Sequence, residues 1–338
     1  MAMFPRRVLQ RLLDQLKDNL SLEAPAKLAH ELDRPGASTL GYEWELALLF
    51  ALSRVGQVAY EKGHSGTRRP DLSFVAAEGP IRFVADVATV SDAGLEAENP
   101  VIRFSQSVHR LKRKYHLPGG ISYDIKGETS GKSNRDQKTR VKLPKASDIN
   151  RFLAEHVVPE FQRISKEKRP KATIKVDEPG VEFTLHYAEC QQYGGGTYPS
   201  YTAAQSPTRN PVYTTLKSKT EQLKKSGATD ALGIFLCDGG CLLLSKAGPQ
   251  PQQVSLDRVI GEFFRQNSSI AFVVVLVFPE LRVDVFRGLI EEVKITGRVY
   301  SNPRAANPLP GKQLLELLNR GLSALPQPVA DPTMLYNG

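Results

Sequence analysis

The chain reads as an α/β protein: a central mixed β-sheet flanked by helices, interrupted by a basic insertion. Three observations predict this. Apolar runs too short to span a bilayer, the longest being the valine-rich "IAFVVVLVFP", alternate with amphipathic helical stretches. Apolar residues make up 41% of the 338, enough for one large domain or two modest ones with a real core. Between about residues 101 and 213 the alternation gives way to polar, basic, glycine-containing sequence.

Residues 1–37 predict an N-terminal helical segment, with a break near Pro25. "GYEWELALLFALSRVG" (41–56) predicts an apolar helix closed by Gly56 as a C-terminal cap. "QVAYE" predicts a short strand and "KGHSGTRRP" a loop. "DLSFVA" and "IRFVADVATV" predict a hairpin turned by "AEGP", so residues 38–100 form the first half of a core. The insertion, residues 101–213, opens with the basic run "VHRLKRKYHLPGGISYDIKGETSGKSNRDQKTRVKLPK". A helix over "ASDINRFLAEHVVPEFQRISKEK" and strands "KATIKV" and "VEFTLHYAEC" follow. The glycines of "GGGTYPSY" predict a flexible loop or flap. Residues 214–325 complete the core. They hold a helix over "TTLKSKTEQLKKS", a strand "ALGIFLC", an Asp-Gly turn into a strand "CLLLS", a helix "LDRVIGEFFRQN", the strand "IAFVVVLVF" and a last helix "GKQLLELLNRGLSAL". Residues 326–338 read as a tail.

The net charge of +9 favours a polyanionic partner, either nucleic acid or an anionic membrane surface, and is equally that of a plain soluble basic protein. The first twenty residues carry Asp14 and Asp18 and read as an amphipathic helix, not a signal sequence. Cys190, Cys237 and Cys241 form no paired metal motif and no even disulfide set, which suits a reducing, cytoplasmic setting. No GxxxxGK[ST] loop is present, so nucleotide hydrolysis is not indicated.

Two aspartates, Asp71 and Asp86, sit in or beside apolar strands. A carboxylate there is costly unless it is paired, hydrogen-bonded or bound to a cation. Alternation puts Arg82, Val84, Asp86, Ala88 and Val90 on one face of their strand. Asp71 opens the partner strand after Pro70, so a hairpin of suitable register brings both carboxylates to one point. Two such groups repel unless a cation lies between them, and hard oxygen donors suit Mg²⁺ or Mn²⁺. Glu45 shares a helical stripe with Leu48, Leu49 and Leu52 and is the third candidate, with Glu43 its competitor. Either glutamate could instead be a solvated first-turn residue favoured by the helix dipole.

This order of helical Glu, short strand, loop, Pro-Asp, hairpin and Asp resembles the core of the PD-(D/E)xK nuclease superfamily, the restriction-endonuclease-like fold. Glu45 matches the helical glutamate, Pro70-Asp71 the Pro-Asp, and Asp86-Val87-Ala88 the (Asp/Glu)-x-Lys. The match covers residues 40–92, with the helix and strands of 214–245 as the rest of the core. The family's lysine position holds Ala88. Either another lysine serves or the site is inactive. Lys219 lies on a stripe with Leu216 and Leu223, beside Gln222, and could arrive over the small residue at 88. It could equally snorkel along the core edge. Lys217, Lys224 and Lys225 fall on the solvated side.

The resemblance implies a Mg²⁺-dependent endonuclease (Mn²⁺ as the variant) acting on DNA, with RNA left open. Asp71, Asp86 and the Val87 carbonyl would hold metal, Glu45 would complete the shell, and Lys219 with Gln222 would orient the attacking water or offset charge. A homodimer or a partner subunit of a defence system, or a role in DNA repair, is a fold-level analogy. One rival is a catalytically degenerate nucleic-acid-binding subunit of the same fold. Another is a scaffold whose acids pair with Arg68, Arg69 or Arg82. The basic stretch offers Arg103, Arg110, Lys112, Arg113, Lys114, Lys132, Arg135, Lys138, Arg140 and Lys142 to phosphates, with Tyr115 and Tyr123 interleaved for stacking on bases. It could also be a solvated loop. His64 and the "CDGGC" cysteines are weaker candidates.

Overall fold

The computed structural model describes residues 3–17, 19–21, 23–34, 39–131, 138–201, 204–244, 253–277, 283–284, 289–290 and 295–326. Its elements begin with α1 (Arg6–Leu16), α2 (Glu23–Asp33), α3 (Thr39–Ser53), β1 (Gly56–Tyr60), β2 (Leu72–Ala76) and β3 (Arg82–Val90). Then come α4 (Ala93–Glu98), α5 (Val101–Lys114), β4 (Gly120–Ile125), β5 (Gly127–Ser130) and β6 (Lys138–Val141). These lead to α6 (Ile149–His156), α7 (Val158–Glu167), β7 (Lys171–Glu178), β8 (Val181–Ala188) and β9 (Gly195–Thr197). The rest are α8 (Pro211–Lys224), β10 (Ala231–Asp238), α9 (Leu256–Gln266), β11 (Ile270–Val277), β12 (Val283–Asp284), β13 (Leu289–Ile290), β14 (Thr296–Ser301) and α10 (Gly311–Leu322).

The chain divides into two compact units. Unit 1 holds residues 1–91, 210–248 and 255–338, and unit 2 holds 92–209 and 249–254.

Unit 1 is built on a six-stranded sheet of order β1-β2-β3-β10-β11-β14. β3, β10 and β11 run parallel, and the flanking pairs β1–β2, β2–β3 and β11–β14 are antiparallel. This is an α/β unit with a mixed sheet. Every position of β11 is buried, the pattern of a strand covered on both faces. Phe83, Ala85 and Val87 of β3 enter a core with apolar side chains of α1, α2, α3 and α10. α8 packs on β3 and β10. Asp86 alternates with those core residues and so leaves β3 on the other face.

The fold departs from the sequence expectations at several points. The helical segment breaks between α1 and α2, and Pro25 lies in the first turn of α2, where its missing N–H leaves no helical bond unmade. Gly56 opens β1 instead of capping α3, and a Cβ on it would lie 2.3 Å from the Val75 carbonyl. The Asp-Gly turn after β10 does not produce a hairpin, and residues 242–244 form a turn. Both edges of β10 are already taken by β3 and β11, so a hairpin partner has no place to pair. The Asp238 carboxylate instead accepts the amides of Gly240 and Cys241.

Unit 2 contains a four-stranded sheet of order β7-β8-β4-β9 and the β5–β6 hairpin. Phe183, Leu185 and Tyr187 alternate inward from β8 and meet Phe104 of α5 and Phe161 of α7 in one core. The basic stretch therefore opens with a helix: Val101, Phe104 and Val108 of α5 are buried at helical spacing beneath its charges. The long helix expected over 146–168 is two, α6 and α7, meeting at Val157, with Pro159 in the first turn of the second. Among the described residues, no helix is long and apolar enough to cross a membrane.

Candidate active site

The site forms where β2 stops short of β3. Leu72, the first residue of β2, pairs with Ala85, so one step further puts Asp71 opposite Asp86. The Asp71 amide donates to Asp86 Oδ1 at 3.2 Å. Past the end of β2 the Val87 amide has no strand partner on that edge, and Asp71 Oδ2 accepts it at 2.7 Å. The N–H and C=O of a strand residue leave by the same edge, so the Val87 carbonyl also emerges there.

Lys219 arrives from α8, whose Leu216, Thr220 and Leu223 are buried. Its Nζ lies 3.3 Å from Asp71 Oδ2 and 3.9 Å from Asp86 Oδ2. The Asp86 side chain is 4% exposed, while those of Lys219 and Asp71 are about one-fifth exposed. The ammonium thus meets both aspartates at the mouth of a largely enclosed site. Ala88, buried on β3, holds no group that could do so.

Glu45 comes from α3 and is half-buried. Tyr60, the last residue of β1, donates its hydroxyl to Glu45 Oε2 at 3.1 Å. Glu43 does different work: its buried carboxylate accepts the Met3 and Phe4 amides. Gln222 is half-buried one turn beyond Lys219, and its side chain takes no hydrogen bond among the described residues.

The loop that delivers Asp71 is fastened to the helix that delivers Lys219. Helix C-termini leave carbonyls without intrahelical donors. Here the Gly66 amide donates to the Ser226 carbonyl at 2.9 Å, and the Thr67 amide to the Lys225 carbonyl at 3.0 Å. A Cβ on Gly66 would lie 2.1 Å from the Lys225 carbonyl oxygen, so only glycine permits this seat. Glu61 N–H donates to the Asp71 carbonyl at 3.2 Å and closes the loop at its base.

The electrostatics follow from this crowding. Burial, then the Asp71 charge, pushes the Asp86 carboxyl up to about 6, against the pull of Lys219 and the Asp71 amide. Burial, then Asp71 again, pushes Glu45 up to about 8, with Tyr60 and Lys219 opposing. Asp71 is the shared neighbour that disfavours ionisation of the other two acids. A site of acids held partly protonated is one that a cation can relieve. The donor chemistry of three carboxylates and a strand carbonyl fits a hard divalent ion. Among the described residues, though, no three His, Cys, Asp or Glu side chains already converge as a metal cluster.

The arginines considered as structural partners do otherwise. Arg82 pairs with Asp230 at 3.4 Å. Arg68 and Arg69, on the Asp71 loop, are exposed and make no ion pair among the described residues. Lys62, Lys224 and Lys225 are likewise exposed, and with those arginines they give unit 1 its own basic patch. His64 Nε2 lies 3.2 Å from Ser73 Oγ. Burial pushes the Cys237 thiol well up, which suits a core side chain.

The basic candidates of unit 2 separate by role. Lys112 donates to the Gly119 carbonyl, Lys138 pairs with Glu98 and Lys142 with Glu182, so these three also tie the unit together. Arg103, Arg110, Arg113, Lys114 and Arg140 are exposed and make no ion pair among the described residues. Lys132 and Arg135 lie outside the described residues. Tyr123 is 7% exposed and cannot stack on a base; Tyr115 sits beneath Lys114, whose Nζ is 5.7 Å from its ring centroid.

Two site features escaped the sequence reading. Tyr60 was readable in outline, since alternation along "QVAY" puts Val58 and Tyr60 on one buried face. The docking of residues 65–68 on the end of α8 joins positions some 160 apart, and only a Gly at each end, Gly66 and Gly227, hinted at it. No family model, no curated protein and no solved structure matches the chain.

Proposed function

We propose that the protein is a divalent-metal-dependent endonuclease of the restriction-endonuclease-like type, acting on DNA. One observation carries the reading: Lys219 Nζ lies beside both Asp71 and Asp86, at 3.3 and 3.9 Å, although it comes from a helix far along the chain. Asp71, Asp86, Glu45 and the Val87 carbonyl would hold Mg²⁺. When bound, that ion supplies a water of lowered pKa and a clamp on the scissile phosphate. Lys219 would orient the attacking water and offset charge as it develops on the phosphate oxygens. Tyr60 would hold Glu45 in place. Arg68, Arg69 and Lys225 would draw the phosphodiester backbone toward the site.

A second reading draws on the same contact. An ammonium beside two carboxylates can also replace a metal, which suits a nucleic-acid-binding subunit that does not cut. Cleavage of supercoiled plasmid and of single-stranded DNA, with Mg²⁺, Mn²⁺ or EDTA, separates the two. Metal-dependent cutting that is lost in Asp86→Ala and in Lys219→Ala supports the nuclease. Binding without cutting under any of these conditions supports the subunit.

A further inference from the structure

Unit 2 carries a surface that the carboxylate site does not use. It holds 20 Lys and Arg against 14 Asp and Glu. α5 contributes no acid at all. Arg103, Gln106, Arg110 and Arg113 recur on it at spacings of three, four and three, and all four are exposed. They form a polar stripe about 15 Å long at the helical rise. None of its arginines is neutralised by an ion pair among the described residues.

An exposed aromatic residue adjoins a backbone segment that packs on this helix. Tyr193 is 80% exposed, the most open large apolar side chain described. It precedes Gly194, whose backbone is pressed against α5: a Cβ there would come within 2.9 Å of His109 Cε1 and 2.6 Å of the Ile121 carbonyl. His109 neighbours Arg110 in sequence and precedes Arg113 by one turn. Tyr193 makes no ring contact among the described residues. Tyr198 differs, because its ring already stacks on Tyr201 at 6.1 Å between centroids. An exposed tyrosine next to a segment packed on this arginine-bearing helix serves no core and no salt bridge.

We propose that this face of α5, with Tyr193, binds single-stranded nucleic acid, its phosphates on Arg103, Arg110 and Arg113 and one unpaired base stacked on Tyr193. Charge complementarity selects a polyanion, and the open ring selects one with accessible base faces. In duplex DNA those faces are covered by stacking. The inference rests on the nucleic-acid part of the proposed function and adds a strand preference to it.

The test is fluorescence-anisotropy binding of the full chain in EDTA, which removes any dependence on cleavage. The probes are an oligothymidylate, an abasic oligonucleotide of equal length and a duplex. Tyr193→Ala should weaken oligothymidylate binding roughly tenfold, the order expected for one lost base stack, and leave the abasic and duplex probes unchanged. Tyr193→Phe should bind as the wild type does. Arg110→Gln with Arg113→Gln should reduce the salt dependence on single strands by about 0.7 per lost phosphate contact. Equal loss on all three probes, or no loss on any, overturns the stacking site while leaving the nuclease reading intact. Binding of none of the probes by the wild type overturns both.

Discussion

Lys219→Met keeps the length of the side chain and removes its charge, so it isolates what the ammonium does. In the wild type Nζ lies 3.3 Å from Asp71 and 3.9 Å from Asp86. A hydrogen bond between charged groups contributes roughly 1.5–3 kcal/mol. Lys219 and Asp71 are each about one-fifth exposed, and Asp71 keeps the Val87 amide after the substitution, so the lower half of that range applies. A cost of ~2 kcal/mol lowers the melting temperature by about 4–8 °C for a unit of this size. The loss must depend on pH. Asp86 titrates near 6, so at pH 5 it is mostly protonated and has little need of the ammonium, whereas at pH 8 it is charged beside Asp71. The drop should be full at pH 8 and smaller at pH 5, where the shorter contact with Asp71 still contributes, read by differential scanning fluorimetry in EDTA. Millimolar Mg²⁺ should then stabilise the variant more than the wild type, because no ammonium competes for the carboxylates and the stabilisation by a folded-state ligand grows with the logarithm of its affinity. An equal drop at both pH values would mean that Lys219 does nothing for the charge on Asp86, and the reading of one ammonium serving both aspartates would fail.

Three further outcomes are expected. Asp86→Ala should abolish metal-dependent cutting and spare DNA binding; Asp71→Ala should do the same and cost a further ~1–3 kcal/mol by stripping the Val87 amide of its acceptor, which a urea titration would read. In EDTA the stability of the wild type should fall as pH rises from about 4.5 to 8. The folded state keeps protons on Asp86 and Glu45 that the unfolded chain has already released, and Glu45→Gln should flatten the part of the curve above pH 6. Arg68→Glu with Arg69→Glu should raise KM for plasmid severalfold with a smaller change in kcat, more so at low salt, since both side chains are exposed and make no ion pair among the described residues. An unchanged KM would remove that loop from the DNA path.

What could be read from the sequence followed physical periodicity. The hairpin of β2 and β3, the buried valine strand β11 and the stripe that brings Lys219 inward all announce themselves through spacings of two or of three and four. The meeting of Asp71 and Asp86 needed the register, which follows from the "AEGP" turn only once Leu72 is seen opposite Ala85. α5 was hidden because its buried positions are diluted by arginine and lysine, and a charge run reads as loop. β14 was missed because "TGRVYS" at the sheet margin is only half-buried and has no apolar alternation. The clasp between the Asp71 loop and α8 uses backbone amides and carbonyls, which every residue carries, so side-chain patterns do not reveal it.

The strand order has a consequence for how this chain reaches its native state. β3 pairs in parallel with β10, so Val84 meets Leu232 only after residues 92–209, nearly all of unit 2, have been synthesised between them. Loop closure over such a span is entropically costly, and parallel pairing cannot begin locally as a hairpin does. Until β10 arrives, the β1–β2–β3 meander presents an open edge, and "IAFVVVLV" waits for partners on both sides with no charge to discourage self-association. Early folding of unit 2 would shorten the effective loop and limit that exposure. Substitutions in the unit 2 core, such as Phe104→Ala or Phe183→Ala, should therefore lower the soluble yield of the entire chain even where the sheet of unit 1 is untouched.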